Sequence, residues 1–245
     1  MLLFILLPVA ALFLRVSPAH LLANLREPIV LQALALSLVT TLVSTLIIIL
    51  AGTPLAYAQA RRQFRFQRAV DTLIDLPMVL PPAVAGVALL ITFGRRGLLG
   101  GVLGDLGLQI AFTPLAVILA QVFVAAPFYI KSAISGFASL DRELELAASL
   151  DGANVAQSFR YVTIPLSWSA LLGGSAMSWA RALGEFGATI IFAGNMPGRT
   201  QTMPLAIYIG FEIDLDIALT LSVILILFSF LALFVAKGIL QREWL

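Results

Sequence analysis

Long apolar runs separated by short polar stretches organise this chain. Six runs stand out, approximately Leu2–Val16, Ile29–Ala56, Val70–Phe93, Phe112–Ile130, Pro165–Ala193 and Ile217–Ala236. A helix needs about 20 apolar residues to cross a bilayer, and every run but the first comes close to that length or exceeds it. The first is shorter and contains Pro8. The runs are continuous rather than alternating, which argues against a β-barrel. Lipid offers backbone groups no hydrogen bonds, so each run is expected to be a helix. The pattern predicts an all-α polytopic membrane protein: one domain over residues 1–245 with six transmembrane helices.

One polar stretch is too long to be a simple turn. ELELAASLDGANVAQSFRYVTIPL, from Glu143 to Leu166, lies between the fourth and fifth runs. Leu140, Leu144 and Ala148 recur at a four-residue spacing, with Leu146 and Leu150 beside them. That is a helical stripe, and Ser139 or Asp141 can cap its start. Gly152 is expected to end it, because glycine readily takes the left-handed conformation of a helix stop. Asn154, with Gln157 three residues on, reads as a capping box for a second short helix, whose apolar side is Val155, Phe159 and Val162. Pro165 then stands where its missing N–H does no harm, at the start of the next span. Periodicity alone leaves two readings of this helix–turn–helix: a loop lying on the lipid headgroups, or a docking element for a soluble partner.

Composition agrees with a lipid solvent. Of 245 residues, 60% are hydrophobic and 11% charged, where soluble domains carry about 25% charged residues. There is no cysteine, so no disulfide framework, thiolate metal site or Cys nucleophile exists. The formal net charge of +2 does not describe a nucleic-acid-binding surface. Charge placement orients the chain. Arg61, Arg62, Arg65, Arg68, Lys131, Arg142, Arg160, Lys237 and Arg242 fall on one side: nine of the fifteen Lys and Arg residues. Arg15, Arg26, Arg95, Arg96 and Arg199 fall on the other. The positive-inside rule places both termini and the polar stretch in the cytoplasm.

The polar stretch resembles the cytoplasmic "EAA loop" of ABC importer permeases: Glu-Ala-Ala, three residues, Gly, nine residues, Ile, one residue, Leu-Pro. Here Ala147 and Ala148 take the Ala-Ala positions and Gly152 the Gly. Val162, Ile164 and Pro165 take the closing Ile, Leu and Pro. Leu146 stands where the motif has Glu, with Glu145 next to it. LPMVLPPAVAGVALL and FGRRGLLG, then PFYIKSA and ARALGEFGATIIFAGN, are similar to segments of molybdate permeases, and sulfate and tungstate permeases share much of this vocabulary.

The resemblance implies a type I ABC importer permease fold in the cell membrane, with residues 139–164 as a coupling loop between helices 4 and 5. It implies a tetrahedral oxyanion as cargo, molybdate or tungstate, with sulfate or thiosulfate as the alternative. It implies two cytoplasmic ATP-binding subunits, a second permease copy in a homodimer, and an extracytoplasmic binding protein. Glu145, Leu146, Ala147, Ala148, Gly152, Ala153, Val155, Phe159 and Pro165 would form the face that meets the ATPase.

The chain itself lacks the phosphate-cradling G-x-x-x-x-G-K-[S/T] loop. QVFVAAPFYI precedes Lys131-Ser132 without a glycine, and Gly238 follows Lys237. No catalytic residue, metal ligand or bound cofactor is expected on this chain; ATP and Mg belong to the partner ATPase.

The fifth run carries charge inside the membrane. Ser178, Arg181, Glu185 and Thr189 follow spacings of three, four and four, which would align them on one helical face. Arg181 lies about 22 Å along such a helix at about 1.5 Å per residue. An unpaired arginine there costs about 3 kcal/mol or more. Two readings stand for the stripe: a buried ion pair that fixes packing, or a lining of the translocation path and gate. Gly174 and Gly184 would let neighbouring helices approach closely. Asp71 and Asp75 are expected to pair with arginines of the adjacent loop. Two other classes remain: an intramembrane hydrolase at Ser175, which finds no histidine at membrane depth, and a channel or ion-coupled transporter without an ATPase, which leaves the polar stretch unexplained.

Overall fold

The computed structural model describes residues 1–61 and 65–241. Arg62 and Arg242, counted above for orientation, lie outside the described residues. Among the described residues every regular element is helical. They are α1 (Leu2–Arg15), α2 (Pro18–Asn24), α3 (Pro28–Arg61), α4 (Gln67–Val79), α5 (Pro82–Phe93), α6 (Gly100–Asp105), α7 (Pro114–Ala138), α8 (Arg142–Leu150), α9 (Val155–Ser158), a π-turn (Phe159–Thr163), α10 (Ile164–Leu166), α11 (Trp168–Leu183), α12 (Gly187–Phe192), α13 (Met203–Ile213) and α14 (Leu215–Gln241).

Among the described residues three helices, α3, α7 and α14, are long and apolar enough to cross a membrane, and α4 with α5 makes a fourth if the broken pair counts as one span. The six expected runs are thus not six uninterrupted helices. The third divides at Leu80-Pro81-Pro82. Neither proline offers an N–H to the ladder, and Leu80, which precedes a proline, is extended at φ −65°, ψ 133°. The fifth divides into α10, α11 and α12. The first is a 14-residue helix with Pro8 inside it. Exposed Leu42, Leu46 and Leu50, at 59%, 55% and 66%, form an outward-facing apolar stripe at four-residue spacing along α3.

The contacts divide the chain into two compact units: residues 1–43, 81–121 and 183–231, and residues 44–80, 122–182 and 232–245. The first has a core of Val30, Ala33, Leu183, Met203, Ala206, Leu221 and Ile224. In it α5 packs tightly on α12. A side chain on Gly86 would place its Cβ 2.8 Å from Ala188 O, and one on Gly187 would come 2.6 Å from the Pro82 Cβ. Buried hydroxyls join helices here too. Ser37 Oγ accepts from Met203 N at 2.7 Å, and Gln121 Nε2 donates to Thr40 Oγ1 at 3.2 Å. Thr41 Oγ1 donates back to Ser37 O, the local use usual for a hydroxyl in a membrane helix.

The second unit is centred on Ile48, Ala56, Ile74, Ala125, Tyr129, Ala133, Phe137 and Leu171. Small residues let α7 and α11 run close together. Ser132 Oγ donates to Ala170 O at 2.7 Å, Ser178 Oγ donates to Ala125 O at 2.9 Å, and Gly174 leaves no room for a Cβ beside Ser132. Asp71 and Asp75 do form ion pairs, but their partner is Lys131 of α7, at 2.6 and 2.9 Å. The lysine, one turn and more inside the helix end, reaches carboxylates that the linear sequence assigned to nearer arginines.

Candidate functional site

The polar stretch folds as its caps dictate. Asp141 accepts from Glu143 N at 3.0 Å and starts α8. Gly152 sits at φ +93°, in the left-handed region open to glycine. There Gly152 N donates to Ser149 O and Ala153 N to Ala148 O, which occupies carbonyls a helix end would leave bare. Asn154 and Gln157 complete the capping box in both directions, at 2.9 and 2.8 Å. The second helix is shorter than its stripe suggests, because after Ser158 the chain widens into the π-turn. Pro165 follows in α10, within the run-in to α11.

The expected apolar stripes divide into an inward and an outward part. Phe159 turns inward, its ring 4.8 Å from Tyr57 and 6.1 Å from Phe137, while Tyr57 meets Phe137 edge-on at 5.6 Å. These contacts anchor the π-turn to α3 and α7. Leu146, Leu150 and Val155 point away, at 63%, 89% and 78% exposure. No residue of α8 is buried; Ala147 is exposed, and Ala148 and Ala153 are half-buried.

Polar contacts hold α8 in place instead. Arg61, the last residue of α3, donates from Nη1 to Leu140 O at 3.1 Å, and its Nη2 lies 3.2 Å from Glu145 Oε1. Thr163 Oγ1 donates to the same Glu145 oxygen at 2.7 Å. Arg142 Nη2 donates to Arg61 O at 3.0 Å, placing a cation on the last carbonyl of α3, where the helix dipole favours it. Tyr57, Arg61, Arg142, Glu145, Leu146 and Val155 line a groove of about 360 Å³ beside this clasp.

A family model described as "Binding-protein-dependent transport system inner membrane component" matches residues 48–243. The chain belongs to that family. The matched region contains the whole capped polar stretch and the end of α3 that grips it. The family's molybdenum transport system permease protein ModB of Mycobacterium tuberculosis is 40% identical over 91% of this chain and 84% of its own length. The molybdate/tungstate transport system permease protein WtpB of Thermococcus kodakarensis is 34% identical over 78% of this chain and 72% of its own. Among solved structures, the bacterial alginate ABC transporter in complex with an alginate pentasaccharide-bound periplasmic protein superposes with a TM-score of 0.71 at 16% identity, covering 97% of this chain and 88% of that one. The ABC importer permease fold expected from the resemblance is therefore the fold observed, and this family member is a multi-pass membrane component of a transport system.

The four intramembrane residues do not form the single helical face their spacing suggests. α11 ends at Leu183, so Ser178 and Arg181 stand on α11, Glu185 on the connecting segment and Thr189 on α12. Ser178 is spent on Ala125 O. Glu185, 1% exposed, accepts from Ala188 N at 2.8 Å and so caps the first turn of α12. Thr189 is fully buried, whereas Arg181 keeps partial exposure. α12 is held against α5 by the close Gly187–Pro82 and Gly86–Ala188 contacts.

Arg61 and Thr163 went unnoticed as site residues in the sequence, where Arg61 counted only as one of several loop charges. Nothing in the sequence links them to Glu145. The pairing arises because the ends of α3 and the π-turn converge on α8.

Proposed function

We propose that this chain is the membrane-spanning subunit of an ATP-driven importer of a tetrahedral oxyanion, molybdate or tungstate, and that residues 139–164 form the foot through which a separate ATPase acts on it. The observation that carries the reading is the foot's construction: caps and an arginine clasp fix its backbone, while Leu146, Leu150 and Val155 stay exposed. Exposed apolar side chains on a rigid polar frame suit a protein partner, whose contact would remove them from water. The foot also sits where the charge count places the cytoplasm.

The complete transporter on this reading holds two copies of this chain, two cytoplasmic ATP-binding subunits that carry ATP and Mg, and an extracytoplasmic oxyanion-binding protein. Both termini of this chain lie in the cytoplasm, and it hydrolyses nothing itself. The names of the M. tuberculosis and T. kodakarensis relatives support the choice of anion, and the periplasmic protein bound to the alginate transporter supports the external partner. Of the intramembrane residues we assign Arg181 to meet the anion, a reading supported by its partial exposure where Ser178, Glu185 and Thr189 are buried. A partly screened cation suits passage, because tight binding would stall release.

The test is reconstitution. The tagged chain, extracted in mild detergent, is expected to bring an ATPase subunit with it, and hydrolysis in liposomes is expected to rise with molybdate-loaded or tungstate-loaded binding protein. Stimulation by sulfate alone would move the cargo to the sulfate class. A stable, transporting complex without an ATPase would end the reading.

A further inference from the structure

We propose that Arg61 is a positioning residue for energy coupling: it clasps the foot to the end of α3, so that displacement of α8 is carried into the membrane through Glu145. This rests on the coupling reading above. α8 has nine residues and none is buried, so little apolar packing anchors it. A helix held only by flanking turns would pivot when pushed. The polar contacts supply the missing link, and they run in both directions. Arg61 reaches into the foot twice, to the Leu140 carbonyl that precedes α8 and to the Glu145 carboxylate in its middle. Arg142 reaches back from the first turn of α8 to the final carbonyl of α3.

Burial raises the worth of this link. The Arg61 side chain is 8% exposed and that of Glu145 20%, so water screens the pair less than it would a surface pair. Guanidinium geometry matters as well: one planar group donates to the Leu140 carbonyl while holding its charge against the Glu145 carboxylate, which a lysine ammonium on its flexible stem does less rigidly. Glu145 divides its hold between two elements. Thr163, fully buried in the π-turn, donates to the same oxygen that faces Arg61. The π-turn is in turn locked to α3 and α7 by Phe159. One carboxylate thus ties the foot both to α3 and to the segment that leads into α11. It is committed inside the chain, and the groove beside it leaves Leu146 and Val155 for a partner.

The experiment uses the reconstituted complex with its ATPase and binding protein, with molybdate as cargo. Three quantities are read: ATPase copurified, ATP hydrolysed, and molybdate accumulated per ATP. Arg61→Gln is expected to leave copurification near wild type and to lower molybdate per ATP by about tenfold, the size of one lost charge-assisted hydrogen bond. Thr163→Val, which keeps the side-chain shape and leaves Arg61 intact, is expected to act in the same direction but less. It carries the test alone should Arg61→Gln fail to insert. The reversed pair, Arg61→Glu with Glu145→Arg, is expected to recover part of the coupling that either single reversal loses. Wild-type molybdate per ATP in Arg61→Gln and Thr163→Val would overturn the proposal. So would a parallel loss of copurification and uptake without rescue in the reversed pair, the pattern of a purely structural role. A wild-type chain that captures no ATPase would instead sink the coupling reading itself.

Discussion

The foot between α7 and α11 and the interruption between α11 and α12 are both departures from plain membrane helix, and they are built in opposite ways. The foot is assembled from near neighbours. Asp141 caps onto Glu143, Asn154 and Gln157 cap each other, and Gly152 turns the chain. The interruption is assembled from afar. α12 is six residues long, too short to be stable alone, and it exists because α5 presses against it at Gly86 and Gly187. Glu185 then caps it from within the core. Local wiring keeps an exposed polar element in shape without help from distant segments; an intramembrane break needs a packed neighbour, because lipid gives a freed backbone group nothing to bond.

Substitutions can separate the two modes. The largest effect is expected at Gly86→Leu. Its new Cβ would meet the Ala188 carbonyl oxygen at 2.8 Å, and backbone cannot swing aside as a side-chain tip can. A loss of about 3 kcal/mol should appear as a lower unfolding midpoint of the purified protein in detergent; an unchanged midpoint would mean that α12 does not depend on α5. Glu185→Ala comes next. It strands the buried Ala188 N–H and should cost about 2 kcal/mol, whereas Glu185→Gln keeps an acceptor oxygen and should cost less. Equal losses in the two variants would show that the cap is not what Glu185 provides.

At the foot the effects should be smaller and confined. Gly152→Val forces a branched residue to φ +93°, at a cost of about 1–2 kcal/mol. Amide exchange around residues 148–158 should quicken about tenfold while exchange in α7 stays as it was. Spread of the change into α7 would show that the foot is not locally held. Leu150→Ser should be the mildest for the chain itself, within about 0.5 kcal/mol, because that side chain is 89% exposed. Its consequence should be a lower yield of copurified ATPase, and an undiminished yield would remove Leu150 from the docking face.

Legibility in the sequence follows the same division. Asp141, Gly152 and the Asn154–Gln157 box were readable because a cap and its target lie within three or four residues. The long apolar runs were readable because lipid selects for continuous hydrophobicity. The spacing puts Phe159 on one apolar side with Val155 and Val162, yet its ring turns in toward Tyr57 and Phe137 while Val155 stays exposed, since the π-turn that begins at Phe159 re-aims the face. The stripe through Ser178, Arg181, Glu185 and Thr189 assumed a helix that persists, and spacing carries no sign of where a neighbouring helix will end it. The partner of Asp71 and Asp75 was misassigned for a like reason: Lys131 is distant along the chain and near in space.

By itself the sequence determined the solvent, the helical class and the foot's own shape, because these depend on composition and on contacts within a turn or two. Only the tertiary structure decided that α5 packs on α12, that Glu185 serves as a cap, and that Arg61 and Thr163 converge on Glu145. Those outcomes depend on which distant segments meet, and burial then sets their strength, neither of which is written in the spacing of residues along the chain.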